Sequence, residues 1–324
     1  MLHPAGEERL RRAGLHVRVV DASDEQEVEA WLPRADGIVV RLPAAFDAGR
    51  VAQARRAKIL SVSGAGADHV DIVSATSAGI GVVNNPGVGA RAVAEHAVGL
   101  MLALVKRIPL ADRLLREQGW PCREAFHGVA MAGGLSGRSL GLVGFGQIAR
   151  QVAHICHRGF DMPVTVFSRR RPVDCPYSWC ADLGELAAGS DFLSLHLPLT
   201  ETTRGLVSRE VIFSMPRTAY LINTARGGVI DNEALCDALK ARAIAGAGID
   251  VFDDEPPSPD EPLLTMDNAI VTPHVAGISE DSCRRLAISA AEQIIQALNG
   301  DRPPHLLNPD AWADRGATSK EFKN

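Results

Sequence analysis

No apolar run in this sequence approaches the roughly 18–20 residues that a membrane span requires. The longest, AVGLMLALV at 97–105, suits a buried helix instead. The opening MLHPAGEERLRR also lacks the apolar stretch of a secretory signal. The six cysteines (Cys122, Cys156, Cys175, Cys180, Cys236 and Cys283) include no CxxC pair and no metal-ligand grouping. Thiols scattered in this way suit a reducing compartment, so the expectation is a cytoplasmic protein without a metal site. His154 and His157 lie three apart on an expected helix, but no third ligand accompanies them. Excess positive charge is missing as well. A formal net charge of -5 and an isoelectric point near 6.1 argue against nucleic acid or a membrane surface as the main partner.

What the chain does have is length for two domains, 324 residues with 46% hydrophobic and 23% charged positions. Short apolar, β-favouring runs alternate with helical patterns from end to end. HVRVVD, GIVVRL and KILSVS read as strands in the first hundred residues. SLGLVGFG, VTVFS, DFLSLHL, AYLINT, AGAGIDVF and AIVTPH do so further on. The alternation implies βαβ units and parallel sheets, so the fold class is α/β. A turn signal, NNPG at 84–87, precedes a helical pattern from about Arg91 to Leu115 that Pro109 should bend. A second crossing is expected after Gly277, and the polar close ATSKEFKN should fray. The expected domain limits are 1–99, 100–287 and 288–324.

The stretch SLGLVGFGQIARQVA, 139–153, runs from a strand through Gly144, Phe145, Gly146, Gln147, Ile148 and Ala149 into a helix. This is the G-x-G-x-x-G/A fingerprint in the context that dinucleotide binding requires. Gly144 permits the tight turn, Gly146 lets the backbone approach a pyrophosphate, and Ala149 allows close helix–strand packing. The helix N-terminus offers N–H groups and partial positive charge to the phosphates. The next strand, VTVFS, would normally end in an acid that accepts from the adenosine ribose. Here Ser168 stands in that place, followed by Arg169, Arg170 and Arg171. A carboxylate would repel a 2′-phosphate, whereas serine can donate to it and guanidinium groups can pair with it. The expected cofactor is NADP(H) in preference to NAD(H).

NTARGG at 223–228, DVFDDEPP at 250–257 and TPHVAG at 272–277 each follow an expected strand. They therefore lie at strand carboxyl ends, the usual ligand crevice of an open parallel sheet. An arginine, a carboxylate and a histidine are the chemical types that hydride transfer to a 2-oxo acid needs. The arginine holds the substrate carboxylate and polarises its carbonyl. The histidine supplies a proton to the developing alkoxide, and the carboxylate orients the imidazole. Three acids of the DDEPP run compete for that last role.

With these motifs, VSGAGADHVD at 62–71 and AVAEHAVGLMLAL at 92–104, the sequence resembles the D-isomer-specific 2-hydroxyacid dehydrogenase family over almost its whole length. The resemblance implies Arg226 as the substrate-binding arginine, His274 as acid/base and Glu255 as its partner. It implies that Ser63, Gly64, Ala65 and Gly66 form a loop whose N–H groups grip the substrate carboxylate. Thr224 and Asp250 become cofactor contacts, Asp250 near the nicotinamide carboxamide, and His196, Leu197 and Pro198 line the cofactor groove. The implied fold is a Rossmann-type coenzyme domain inserted into a smaller flavodoxin-like substrate domain, usually paired as a homodimer. Ser168, Arg169 and Arg170 resemble the NADPH-using glyoxylate and hydroxypyruvate reductase branch. Ala90, Arg91, Ile278 and Ser279 depart from common family usage near the substrate pocket and dimer region. Two other functions fit the same scaffold, an NAD-linked dehydrogenase of 3-phosphoglycerate or another 2-hydroxy acid, and a catalytically silent corepressor-like binding protein.

Overall fold

The computed structural model describes residues 3–41, 44–128 and 130–316; the ATSKEFKN tail lies outside the described residues. The chain divides into two compact units, residues 90–277 and residues 1–89 with 278–324. These breaks fall at 89/90 and 277/278, ahead of the expected 99/100 and 287/288. The helices Ala90–Val105 and Glu280–Leu298 each begin within three residues of a break, so neither is cut in two.

The smaller unit holds a parallel sheet of β1 (Gly37–Val40), β2 (Ile59–Val62) and β3 (Gly81–Val83), in that order. Its central strand is buried on both sides. Leu60, Val62 and Val82 pack into one apolar cluster. Ile59 and Val83 pack into another with Leu10, Ala291, Ile294 and Trp312. The strand expected over 16–21 does not form. A strand needs a neighbour about 4.8 Å away to accept its ladder bonds. Instead, the extended 15–20 segment and β1 both line a pocket of about 650 Å³, with Leu10, Trp31 and Ile294 among its walls.

In the larger unit seven parallel strands build one sheet. They are β4 (Leu140–Val143), β5 (Val164–Phe167), β6 (Ser178–Cys180), β7 (Phe192–Leu195), β8 (Tyr220–Asn223), β9 (Gly246–Ile249) and β10 (Ala269–Val271). Their order is β10-β9-β8-β7-β4-β5-β6. The chain starts in the middle with β4, builds outward through β5 and β6, then returns to the other side of β4 with β7. That reversal between β4 and β7 is the topological switch point at which doubly wound sheets bind ligands. β4, β7 and β9 are buried along their full length, as strands covered on both faces should be. Leu140, Leu142, Phe192, Leu193 and Leu221 are 0–1% exposed, and burying each such side chain contributes about 1.5–3 kcal/mol.

Helix starts follow local chemistry. Asp47, Asp71, Asp182 and Asp231 each cap a short helix by accepting from the N–H three residues on. The long helix expected over 91–115 is two helices, Ala90–Val105 and Ile108–Gln118. Arg107 breaks them apart with a left-handed φ of 53°. Pro109 then sits in the first turn of the second helix, where its missing N–H costs nothing.

Candidate active site

Gly144 ends β4 and takes φ = 93°, a region that only glycine enters freely. Its N–H donates to the Phe167 carbonyl at 2.8 Å, and a Cβ there would run into the carbonyl of His196. Gly146 is the N-cap of the helix Gln147–Phe160, which has no side-chain cap. Nothing lies within 4 Å of where a Gly146 Cβ would be. Ala149 is buried against the sheet, while Gln147 is exposed and Ile148 half-buried. Phe145 is held edge-on to Tyr177 and under the Arg150 guanidinium at 4.3 Å. The result is a helix end with uncapped N–H groups, approached by bare backbone and pointing to the switch point.

Beside it, just past the end of β7, His196 donates its backbone N–H to the Val143 carbonyl at 2.8 Å. Its Nε2 meets Ser194 Oγ at 2.9 Å. Burial pushes its pKa down to about 3, so the ring is neutral. The Nδ1 of His196 and the Oγ1 of Thr224 are buried with no hydrogen-bond partner among the described residues. Buried polar atoms are otherwise almost always bonded. Pro198 is exposed, and its carbonyl accepts from Thr203 Oγ1 at 2.7 Å. The glycine turn, the uncapped helix end and these two orphaned atoms together fit a bound dinucleotide.

At the end of β5, Arg169 and Arg170 are exposed and no ion pair engages them among the described residues. Ser168 is half-buried beside them. Its hydroxyl donates to the Arg170 carbonyl at 2.7 Å, a local turn bond that short polar side chains favour at strand ends. The arginines are therefore the groups left facing outward.

The carboxyl ends of β8, β9 and β10 carry the remaining groups. Asn223 is buried and shapes the first loop, accepting from Ala225 N at 3.0 Å and donating to the Arg226 carbonyl at 2.9 Å. A Cβ on Gly227 would strike the Phe252 backbone, so the Arg226 loop and the 252–255 loop lie directly against each other. Glu255 Oε2 meets His274 Nδ1 at 2.6 Å, and Oε1 accepts from Phe252 N at 3.1 Å. Burial raises the Glu255 pKa, but the His274 hydrogen bond and charge, the Phe252 N–H and the Arg226 charge outweigh it. The net direction is down, so this carboxyl stays ionised below its ordinary 4.5. Among the three competing acids, Asp253 accepts from Asn232 Nδ2 and Glu255 is the one bonded to His274. His274 itself has φ = 52°, a left-handed conformation that a side-chain-bearing residue keeps only when its surroundings hold it.

Asp250 has a structural duty that the resemblance does not imply. Its carboxylate is fully buried and accepts from Thr272 Oγ1 at 2.5 Å, Val275 N at 2.9 Å and Ala276 N at 2.9 Å. It therefore anchors the loop that carries His274. Asn223 and Thr272 escaped sequence reasoning, although both lie inside the quoted NTARGG and TPHVAG motifs. In the smaller unit, the 63–66 loop follows β2. Ser63 N donates to the Val40 carbonyl at 3.0 Å. No hydrogen bond engages the N–H groups of Gly64, Ala65 and Gly66 among the described residues. Their loop is pinned from behind by Asn85 N to Gly64 O at 2.8 Å and Asn84 Nδ2 to Ala65 O at 2.7 Å.

Residues 98–276 match the family model of the D-isomer specific 2-hydroxyacid dehydrogenase, NAD binding domain, over more than half of the chain. The chain belongs to this family. It is 39% identical over 279 residues to a glyoxylate reductase of Korarchaeum cryptofilum, covering 85% of this chain and 83% of that protein. It is 36% identical over 295 residues to a D-3-phosphoglycerate dehydrogenase of Archaeoglobus fulgidus. That match takes in 90% of this chain but only 55% of the relative's length. Among solved structures it resembles an NADPH-dependent glyoxylate/hydroxypyruvate reductase from Sinorhizobium meliloti, crystallised with citrate. The TM-score is 0.84 at 29% identity, over 95% of this chain and 96% of that one. The larger unit is thus the NAD-binding, Rossmann-type domain of a family of oxidoreductases.

Proposed function

We propose that this protein reduces a small 2-oxo acid of the glyoxylate, hydroxypyruvate or 2-ketogluconate type to the D-2-hydroxy acid, using NADPH. The carrying observation is the 2.6 Å pair of His274 Nδ1 with Glu255 Oε2. When bound, the cofactor supplies the hydride that the carbonyl carbon accepts. His274 donates the proton that the carbonyl oxygen accepts, from the ring nitrogen that Glu255 does not hold. Glu255 fixes that orientation and balances the imidazolium. Arg226 binds the substrate carboxylate and polarises the carbonyl. Gly144 to Ile148, His196, Pro198 and Thr224 hold the dinucleotide.

The preference for NADP(H) over NAD(H) rests on Arg169 and Arg170, exposed at the end of β5 where a 2′-phosphate would pair with them. We further propose a cytoplasmic homodimer. Support for the compartment is that all six cysteines are free thiols. Support for the dimer is the helix Ile108–Gln118, which buries none of its residues. It exposes Ile108 at 55% and Leu115 at 49%, next to Trp120 at 74%, an apolar surface suited to a second copy.

A panel of 2-oxo acids offered with NADPH and with NADH, followed by nicotinamide absorbance, tests the reading. Turnover of glyoxylate or hydroxypyruvate with NADPH is expected. Oxidation of 3-phosphoglycerate with NAD and no 2-oxo acid reduction would replace it with the dehydrogenase reading. Tight cofactor binding without turnover of any substrate would leave a silent binding protein.

A further inference from the structure

His96, on the helix Ala90–Val105, takes no part in the chemistry described so far. Its Nε2 lies 3.0 Å from Thr272 Oγ1 and 3.6 Å from Asp250 Oδ1. Thr272 Oγ1 donates its one proton to Asp250 Oδ1, 2.5 Å away, so the Thr272 oxygen accepts the Nε2–H of His96. The chain of donors runs in one direction, His96 to Thr272 to Asp250.

The same carboxylate then takes the N–H groups of Val275 and Ala276, and the Asp250 backbone carbonyl takes the His274 N–H at 2.8 Å. His274 is thus pinned on both sides, at a left-handed φ of 52° that costs a side-chain-bearing residue energy. We infer that His96 is a positioning residue for His274, acting through Thr272 and Asp250. It locks the Thr272 hydroxyl in the one rotor that completes the Asp250 anchor. Without it the hydroxyl turns freely, the anchor loses a bond, and the 272–276 loop holds the imidazole less firmly. This inference rests on His274 being the proton donor, as proposed above.

Two amide substitutions separate this role from simple packing. In His96→Gln the side-chain N–H reaches as far as Nε2 and can still donate to Thr272. In His96→Asn it stops at the position of Nδ1 and cannot. Losing one neutral hydrogen bond should lower kcat for 2-oxo acid reduction by roughly three- to tenfold in His96→Asn, with the KM for NADPH little changed. His96→Gln should recover most of that loss. Adding His96→Asn to Thr272→Val should cost no more than Thr272→Val alone, because residues in one chain are not additive. In the protein without cofactor, amide exchange at Val275 and Ala276 should quicken in His96→Asn and not in His96→Gln. Equal impairment of both amides, fully additive losses in the double variant, or unchanged exchange in His96→Asn would each overturn the inference. His274→Ala separates the two levels of argument. Retained turnover there would remove the proton-donor reading, whereas a dead His274→Ala beside a fully active His96→Asn would remove only the role of His96.

Discussion

Replacing Arg169 and Arg170 by alanine should convert an NADPH-preferring protein into one that uses the two cofactors about equally. Both guanidinium groups are exposed at the end of β5. With no competing carboxylate bonded to either among the described residues, nothing must be broken before they pair with a 2′-phosphate. A hydrogen bond to a charged group is worth about 1.5–3 kcal/mol, roughly 10- to 150-fold in an equilibrium constant. Exposure and salt screening place these two toward the low end. Each single substitution should therefore raise the KM for NADPH by about tenfold, and the pair by about a hundredfold. NADH has no 2′-phosphate, so its KM should hold within about twofold by the same reasoning. The NADPH preference of the unaltered protein should also shrink as salt is raised, since the Debye length falls from about 10 Å at 0.1 M to about 3 Å at 1 M. Ser168→Asp tests the same logic from the other side. Its carboxylate would repel the 2′-phosphate and accept from the ribose hydroxyls, moving preference toward NADH. Steady-state kinetics with each cofactor at saturating 2-oxo acid gives the answer. Equal use of both cofactors by the unaltered protein, or matched losses for NADPH and NADH in the double variant, would refute the reasoning.

Glu255→Gln removes the anion beside His274 and keeps a hydrogen-bonding shape, so the alkaline limb of the kcat/KM profile for reduction should move to lower pH. Asp254→Asn should leave that profile in place; the reverse pattern would assign the partner wrongly. The Glu255 carboxyl is held below its ordinary 4.5, so its ionised form adds stability that is fully present above about that pH. That contribution is lost as pH falls through the lowered value. Glu255→Gln should accordingly flatten the acid side of the thermal-stability curve, and an unchanged curve would count against the pairing. Ile108→Glu with Leu115→Glu should turn a dimer into a monomer by light scattering, and a mass unaffected by the pair would place any interface elsewhere.

Much of the candidate site was legible because it sits where strands end. The Gly144–Ile148 turn, Arg226, Glu255 and His274 are each announced by a β-favouring run followed by a short, small or polar motif, and parallel topology collects such ends on one edge. What sequence could not supply was pairing. HVRVVD has strand composition, yet the 16–21 segment joins no ladder among the described residues, and its Asp21 N–H donates to Glu27 Oε2 instead. β3 and β6 went unseen for the opposite reason. At three residues each they carry too little periodicity to register, and only a waiting neighbour makes them strands. The DDEPP run could not be resolved by spacing either, since choosing Glu255 depends on where the 272–276 loop brings His274. Likewise His96 reads as a packed helical residue until β10 places Thr272 beside it.

The account stands or falls on His274 as the proton donor of a carbonyl reduction. The most direct measurement is single-turnover reduction of hydroxypyruvate by pre-bound NADPH, comparing the unaltered protein with His274→Ala. General acid catalysis by a placed side chain is worth about two to four decades. The variant should therefore bind NADPH as before, by nicotinamide fluorescence, and lose turnover by roughly 100- to 10,000-fold. Turnover within a few-fold of the unaltered protein, with NADPH bound in both, would contradict the central claim.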